Sequence, residues 1–250
     1  MSVDANAYVE ALNKVLATVT ATQGDNVARA ADLIAASLSA DGVLQVFGTG
    51  HSEALAMELA GRAGGFVPTN RVALRDLVLL GGHDAAILDG GLLERDPAYA
   101  RELYSLAGAA EGDVFVVASQ SGINGSIVEF ALTVKEHGHP LIAITSTDHS
   151  ARVPPRHPSG KRLLDIADVV LDNCAPYGDA LLPMPTGGAV CAASSISAAL
   201  LAQMVVAEVV RRQLDGGEVP PVYLSANVPE GDAHNNTLES RYAGRIRRTA

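Results

Sequence analysis

The sequence predicts an α/β fold, with a parallel sheet covered by helices on both faces. Three observations lead there. Strand-like apolar runs alternate with helix-like segments, the pattern of a wound parallel sheet. One run, Val114-Phe115-Val116-Val117-Ala118, is apolar at every position, as expected of a strand covered on both faces. Two of the runs close on glycine-containing turns, at Gly48 to Gly50 and at Ser121-Gly122, that lead directly into helices. With 250 residues, 48% hydrophobic and 18% charged, the chain suits one large domain with an added helical part.

Tyr8, Leu12, Val15, Leu16 and Val19 recur at helical spacing, and Val27, Ala31, Leu33, Ile34 and Leu38 do so again after Gln23-Gly24-Asp25-Asn26. Residues 1–40 therefore read as an N-terminal helical segment. It has too little apolar surface to fold alone and packs on the core or on a second copy. Residues 41–214 form the main domain. Val43 to Phe47 is its first strand, and Ala54, Leu55, Met57, Leu59 and Ala60 form the helix after the glycine turn. Phe66-Val67-Pro68-Thr69 reads as a short second strand, placed at an edge by its proline. Leu74 to Leu80 is apolar and ends in Gly81-Gly82-His83-Asp84. Helices are expected over Pro97 to Ala107 and Ile127 to His137, and strands over Leu141 to Thr145 and Val169 to Leu171. Thr186 to Leu214 holds a long helix with Arg211 and Arg212 near its C-terminus, where cations are favoured. Residues 215–250 read as a polar C-terminal tail.

Composition narrows the function. A net charge of −10 argues against nucleic acid, whose phosphate backbone requires a basic face. The two cysteines, Cys174 and Cys191, lie in no CxxC or Cys/His cluster, so neither a disulfide framework nor a zinc knuckle is expected. No metal and no cofactor is expected. Met1 to Asn6 has no basic or apolar region of the secretory-signal kind. Ala180 to Ala207 is uncharged, but Pro183, Pro185, Gly187 and Gly188 break its first part, Ser194, Ser195, Ser197 and Gln203 interrupt the rest, and a bilayer span needs about 20 mainly apolar residues. A helix buried in the core or in a subunit contact fits better. The reading is a cytoplasmic homodimer with no membrane partner.

The chemistry lies in the two turns. A strand, a glycine turn and a helix N-terminus make an anion site, because the first helical N–H groups have no partner within the helix. Gly48-Thr49-Gly50-His51-Ser52 has this form, and the Ser52 hydroxyl adds a donor. Ser119-Gln120-Ser121-Gly122 with Asn124 brings two hydroxyls and two amides to the end of a later strand. Two such turns on neighbouring strands hold one phosphate from two sides, with hydroxyls and N–H groups in place of Lys or Arg. The alternative is a pair of plain β–α turns without a ligand. A dinucleotide reading fails because Glu53 occupies the place of the third glycine in the fingerprint, and no Gly-Lys-Ser/Thr P-loop occurs.

These two motifs resemble the sugar isomerase (SIS) domain family over roughly residues 30–212. The resemblance implies a three-layer α-β-α sandwich with a five-stranded parallel sheet, flavodoxin-like, plus the N-terminal helices, and a phosphosugar as small-molecule partner. It implies that Gly50, His51, Ser52, Ser119, Gln120, Ser121 and Asn124 hold the sugar phosphate. Asn124 departs from the threonine that relatives often carry. Glu58-Leu59-Ala60-Gly61-Arg62 is similar to the Glu-Leu-Thr-Gly-Arg run of phosphoheptose isomerases and makes Glu58 the candidate base; an ordinary solvated helix glutamate is the plain alternative. The histidine those isomerases carry on the last long helix has no counterpart over residues 189–214. His83 is the first replacement. Glu94 is a second, by similarity to the N-acetylmuramic acid 6-phosphate etherases. His234 is a third, if it reaches a neighbouring subunit's site. His157 and Lys161 read as a solvated loop. The chain as a whole resembles bacterial SIS proteins of similar length that are related to N-acetylglucosamine-6-phosphate dehydratases. The expected reaction is elimination of water from an aminosugar 6-phosphate after C2 proton abstraction, with aldose–ketose isomerisation or non-catalytic phosphosugar sensing as the alternatives.

Overall fold

The computed structural model describes residues 2–248; residue 1 of the N-terminal segment and residues 249–250 of the tail lie outside the described residues. Helices α1 (Ala5–Thr22) and α2 (Gly24–Ser39) come first, followed by β1 (Leu44–Gly48), α3 (Glu53–Leu59), β2 (Thr69–Val72) and α4 (Asp76–Leu79). Next come α5 (Ala100–Ala107), β3 (Val114–Ala118), α6 (Gly125–Glu136), β4 (Leu141–Thr145), α7 (Thr147–Arg152) and β5 (Val169–Asp172). The chain closes with β6 (Ala180–Pro183), β7 (Ala189–Ala192), α8 (Ser194–Asp215) and α9 (Gly231–Arg241). The main sheet has five strands in the order β2-β1-β3-β4-β5, all parallel, and β6 and β7 form a separate antiparallel hairpin.

The period-2 geometry of a strand sorts its side chains between two cores. Val114, Val116 and Ala118 of β3 join one core with α2, α3 and α8, while Phe115 and Val117 join another with α5 and α6. Both faces are thus covered, which is why β3 tolerates no polar residue. Val27, Ala30, Ala31, Ile34 and Leu38 of α2 are all buried in the first core. A fully buried Ile or Leu contributes about 1.5–3 kcal/mol, so α2 is an integral part of this layer. Val19 of α1 is also buried there. Helix α8, uncharged over most of its length, packs along α2 and α3.

Two elements differ from the sequence reading. The second strand begins at Thr69 and not at Phe66, because Pro68 has no N–H to give; its carbonyl instead accepts from Leu44 N at 2.9 Å. Phe66 bridges to Val222 in antiparallel fashion. The long helix begins at Ser194 and not near Thr186, because residues 180–192 turn back on themselves as a hairpin, with Met184 N donating to Gly188 O at 3.0 Å. The segment after α8 packs back on the sheet: Tyr223 and Tyr242 are buried against Val43 and Val67, with Leu238 and Ile246 beside them.

Candidate functional site

The first turn is set by glycine. A Cβ on Gly48 would lie 2.4 Å from Ser52 O, so only glycine lets the chain fold back at the end of β1. Gly50 has φ +55°, and residues Gly50–Ser52 make a tight 3-10 turn in which Ser52 N donates to Thr49 O at 3.1 Å before α3 begins. In the second turn Gly122, at φ +65°, donates its N–H to Ser119 Oγ at 3.1 Å. A Cβ on Gly122 would come within 3.3 Å of Leu163 Cβ and Thr145 Oγ1. Asn124 then caps the start of α6 in extended conformation.

These turns are neighbours, since Gly48 of β1 is in register with Ala118 of β3. They also stand where the strand order 2-1-3-4-5 reverses direction, the place where open α/β sheets bind ligands beyond their carboxyl ends. A chamber of about 580 Å³ opens between them. Thr49, Gly50, His51 and Ser52 line it from the first turn, and Ser119, Gln120, Ser121, Ile123 and Asn124 from the second. Glu94, His149, Val153, Arg156, Asp179, Ala192, Ser194 and Ser195 complete the wall. A small recess at one side, lined by His51, Ser52, Gln120, Asn173, Ser194 and Ser195 among others, extends it inward. There Gln120 Oε1 accepts from Asn173 Nδ2 at 2.7 Å, and Gln120 Nε2 is buried with no partner among the described residues.

Glu94 reaches the chamber through a short 3-10 turn, Leu93–Arg95, whose Leu93 is buried in the second core. Its carbonyl accepts from Ser126 Oγ at 2.7 Å. Its carboxylate lies against the first turn: a Cβ on Gly50 would stand 3.4 Å from Glu94 Oε2. Gly125 packs so closely on this segment that a Cβ there would meet Arg95 O at 2.3 Å.

Gly50, His51, Ser52, Ser119, Gln120, Ser121, Asn124 and Glu94, singled out from the sequence, therefore share one chamber. Glu58, His83 and His234 are not among its lining residues. Glu58 sits at the far end of the short α3, where it pairs with Arg62 and accepts from Gln203 Nε2 at 2.7 Å. His83 places Nε2 2.9 Å from Glu102 Oε1 and meets the Tyr99 ring edge-on. His234 Nε2 lies 3.0 Å from Val222 O.

Five polar residues of the wall were missed: His149, Arg156, Asp179, Ser194 and Ser195. The sequence reading built the anion site from hydroxyls and N–H groups without Lys or Arg; Arg156 also lines the chamber, and its Nη1 donates to Asn124 Oδ1 at 3.2 Å. Its loop is not simply solvated. The neighbouring His157 side chain is only 7% exposed and bonds Glu129 of α6 at 3.0 Å, which fixes the loop over the second turn. Asp179, at φ +67°, accepts from Ser194 N at 2.8 Å and from Ser194 Oγ at 2.7 Å, so it caps the start of α8 from within the chamber wall. The signal for it lay in Ser194 and Ser195 beginning an apolar helix, which the sequence reading took only as interruptions of a hydrophobic run.

Known proteins resemble the chain at two levels, in sequence and in fold. The family model described as the SIS domain matches residues 7–146, starting further toward the N-terminus than the motifs alone indicated and taking in both turns. UPF0309 protein TTE0306 of Caldanaerobacter subterraneus subsp. tengcongensis is 36% identical over 244 residues, covering 96% of this chain and 98% of its own. UPF0309 protein lmo0025 of Listeria monocytogenes serovar 1/2a is 39% identical over 226 residues, 90% of this chain and 91% of its own. Among solved structures, the phosphoheptose isomerase GmhA from Neisseria gonorrhoeae shares the fold at TM-score 0.54 and 20% identity, over 82% of this chain and 96% of that one. The Vibrio vulnificus NanR protein complexed with ManNAc-6P does so at TM-score 0.52 and 15% identity, over 96% of this chain and 68% of that one. With nearly full-length relatives among the UPF0309 proteins and more than half its residues under one family model, the chain belongs to the SIS domain family.

Proposed function

We propose that the chamber binds an aminosugar 6-phosphate and that the protein is a phosphosugar lyase, eliminating water after C2 proton abstraction. The observation that carries this reading is the shared chamber: two serine-bearing turns on adjacent strands, with the Glu94 carboxylate on the same wall, while the other wall carboxylate, Asp179, is engaged by Ser194 at the start of α8. The phosphate is taken by the hydroxyls of Ser52, Ser119 and Ser121 and the backbone of Gly50 to Ser52, with Arg156 supplying positive charge. The sugar then extends along the wall towards Glu94.

In the open-chain sugar the C1 aldehyde acidifies the C2 proton. A carboxylate removes it, and charge forming on O1 is stabilised by nearby donors; Gln120, a wall residue whose buried Nε2 has no partner among the described residues, is a candidate to supply one. When the C3 hydroxyl leaves as water, with a proton delivered by His51 or His149, the product is a conjugated enal. An N-acetyl group on C2 disfavours the ketose route, which tilts an acetylated substrate towards elimination. Glu94 takes the base role within one chain. Glu58 is the base the phosphoheptose isomerase resemblance implies, and His83 and His234 are its accompanying candidates.

The test is incubation with N-acetylglucosamine 6-phosphate, watching for enal absorbance. Enal formation lost in Glu94→Gln but kept in Glu58→Gln supports the reading. Ketose formed from another sugar phosphate without enal replaces it with an isomerase. Tight binding with no conversion of any aminosugar phosphate replaces it with a sensor.

A further inference from the structure

A second cavity, of about 530 Å³, opens where the end of α3, the edge strand β2 and the C-terminal segment meet, and it shares no lining residue with the chamber. Its wall consists of Met57, Ala60 and Gly61 with four guanidinium side chains, Arg62, Arg71, Arg247 and Arg248, and no carboxylate. The whole chain has only 18 Lys and Arg against 28 Asp and Glu, so four arginines around one hollow run against its average charge.

The guanidinium groups are held mostly by neutral partners. Arg247 donates to Leu106 O at 3.2 Å and to Arg71 O at 3.4 Å, and Arg248 to Thr69 O at 3.2 Å and Val67 O at 2.7 Å. Backbone carbonyls fix the geometry of a cation without cancelling its charge. The carboxylates within reach stand outside the wall: Glu58 with Arg62, Glu239 with Arg248 at 3.0 Å, and Asp76 with Arg247 at 3.6 Å. Three carboxylates face four cations, and Asp76 lies near the limit of an ion pair. Among the described residues the Arg71 side chain has no hydrogen bond and no ion pair. Arg247 Nε is buried with no partner among them. A buried N–H of a charged group is costly to leave without an acceptor.

We propose that this hollow is a second anion-binding site, for a small metabolite carrying a phosphate or diphosphate group, with its apolar part resting on Met57 and Ala60. Arginine forks match phosphoryl oxygens in a bidentate manner that a solvated lysine patch does not. Met57 is 57% exposed at the rim, so an apolar portion of a ligand has a surface to cover. The concave shape selects a small molecule, since an extended acidic polymer needs a flat or grooved basic face and this basic cluster is local.

The test is calorimetric titration of inorganic pyrophosphate, at low ionic strength, into a Ser52→Ala/Ser121→Ala double variant. That background weakens the chamber, so the outcome is independent of the phosphosugar reading. One pyrophosphate per chain is expected. Its affinity should fall about tenfold or more on adding Arg71→Gln or Arg62→Gln, and it should weaken as salt is raised. Arg71 and Arg62 hold no element in place through bonds to the backbone, and thermal melts of both variants should match the parent. Absence of binding in the double variant, or affinity unchanged by both arginine substitutions, overturns the proposal. Failure to bind combined with an altered sedimentation coefficient in the arginine variants also overturns it, and assigns the hollow to a contact between protein chains.

Discussion

The Ser126 hydroxyl donates to the Glu94 carbonyl at 2.7 Å, so the first turn of α6 holds the segment that brings the Glu94 side chain to the chamber between the two glycine turns. That bond joins the element that shapes the second turn to the group assigned proton abstraction. Ser126 is 2% exposed, and Ser126→Ala should cost about 1 kcal/mol of stability for the lost buried hydrogen bond. Because Ser126 does not line the chamber, its loss should lower kcat several-fold while leaving KM close to the parent. Steady-state kinetics on N-acetylglucosamine 6-phosphate separates the two. A purely structural serine would lower the melting temperature and leave kcat alone.

Gly48 is the residue on which the first turn depends. Gly48→Ala places a methyl group 2.4 Å from Ser52 O, a clash with backbone that no rotamer relieves. Overpacking of this kind costs about 1–3 kcal/mol, and the strain should be relieved by opening the turn. The expected result is a lower melting temperature together with loss of phosphate affinity, read by calorimetry. Retained affinity would mean that the turn does not hold the ligand.

The parts of this architecture legible in the sequence are those whose determinants are local. A strand apolar throughout, such as Val114–Ala118, and a turn that needs glycine at Gly48, Gly50 and Gly122 both declare themselves within ten residues. Polar segments that earn their order from distant partners do not. β2 contains Asn70, which is buried only because its side chain donates to Arg245 O at 2.8 Å and accepts from Arg247 N at 2.7 Å, more than 170 residues away. The hairpin of β6 and β7 was hidden by Pro183, Pro185, Gly187 and Gly188, which read as breakers when Pro183 in fact ends β6 and the other three lie in the turn to β7. Arg156 followed the same logic, because the contact that aims its loop is His157 with Glu129 on another element.

Arg156 supplies the guanidinium of the chamber wall, and its contact with Asn124 is a single bond at 3.2 Å. Arg156→Ala should weaken phosphate binding by roughly 10- to 100-fold, the range for a hydrogen bond to a charged group. The salt dependence of binding should flatten with it. Calorimetry at two ionic strengths checks both, and a variant that binds as well as the parent would return the site to hydroxyls and N–H groups alone.

Far from the chamber, His139 is 5% exposed, and burial holds its pKa below the ordinary 6.5, against a smaller upward pull from its bond to Asp113 O at 3.1 Å. Nδ1 donates to that carbonyl, which leaves Nε2 to accept from the Tyr104 hydroxyl at 2.8 Å. A proton on Nε2 would remove the acceptor. The folded chain therefore binds this proton less readily than the unfolded one. The stabilising contribution is present above pH 6.5 and is lost as pH falls below it towards the depressed value. The urea midpoint should drop between pH 7 and pH 5, and His139→Gln should flatten that slope.

Asp113 is fully buried beneath the C-terminal segment, where it accepts from Val43 N at 2.8 Å, Gln45 Nε2 at 3.1 Å, Ala110 N at 3.1 Å and Arg245 Nη2 at 2.6 Å. Three neutral donors hold the carboxylate in place, and one guanidinium balances its charge. Removing one member of a buried pair costs about 3–5 kcal/mol. Arg245 is 33% exposed and solvent screens it, so Arg245→Ala should cost less, about 2 kcal/mol. Asp113→Asn added to Arg245→Ala should restore part of that loss, since the amide needs no counter-charge, its oxygen still accepts from Val43 N, and Gln45 can turn its unpartnered Oε1 towards the new amide N–H. Urea melts of the parent, single and double variants measure this directly. A single variant as stable as the parent would mean that residues after α9 rest on the sheet without anchoring to it, and that Asp113 is balanced by its neutral donors alone.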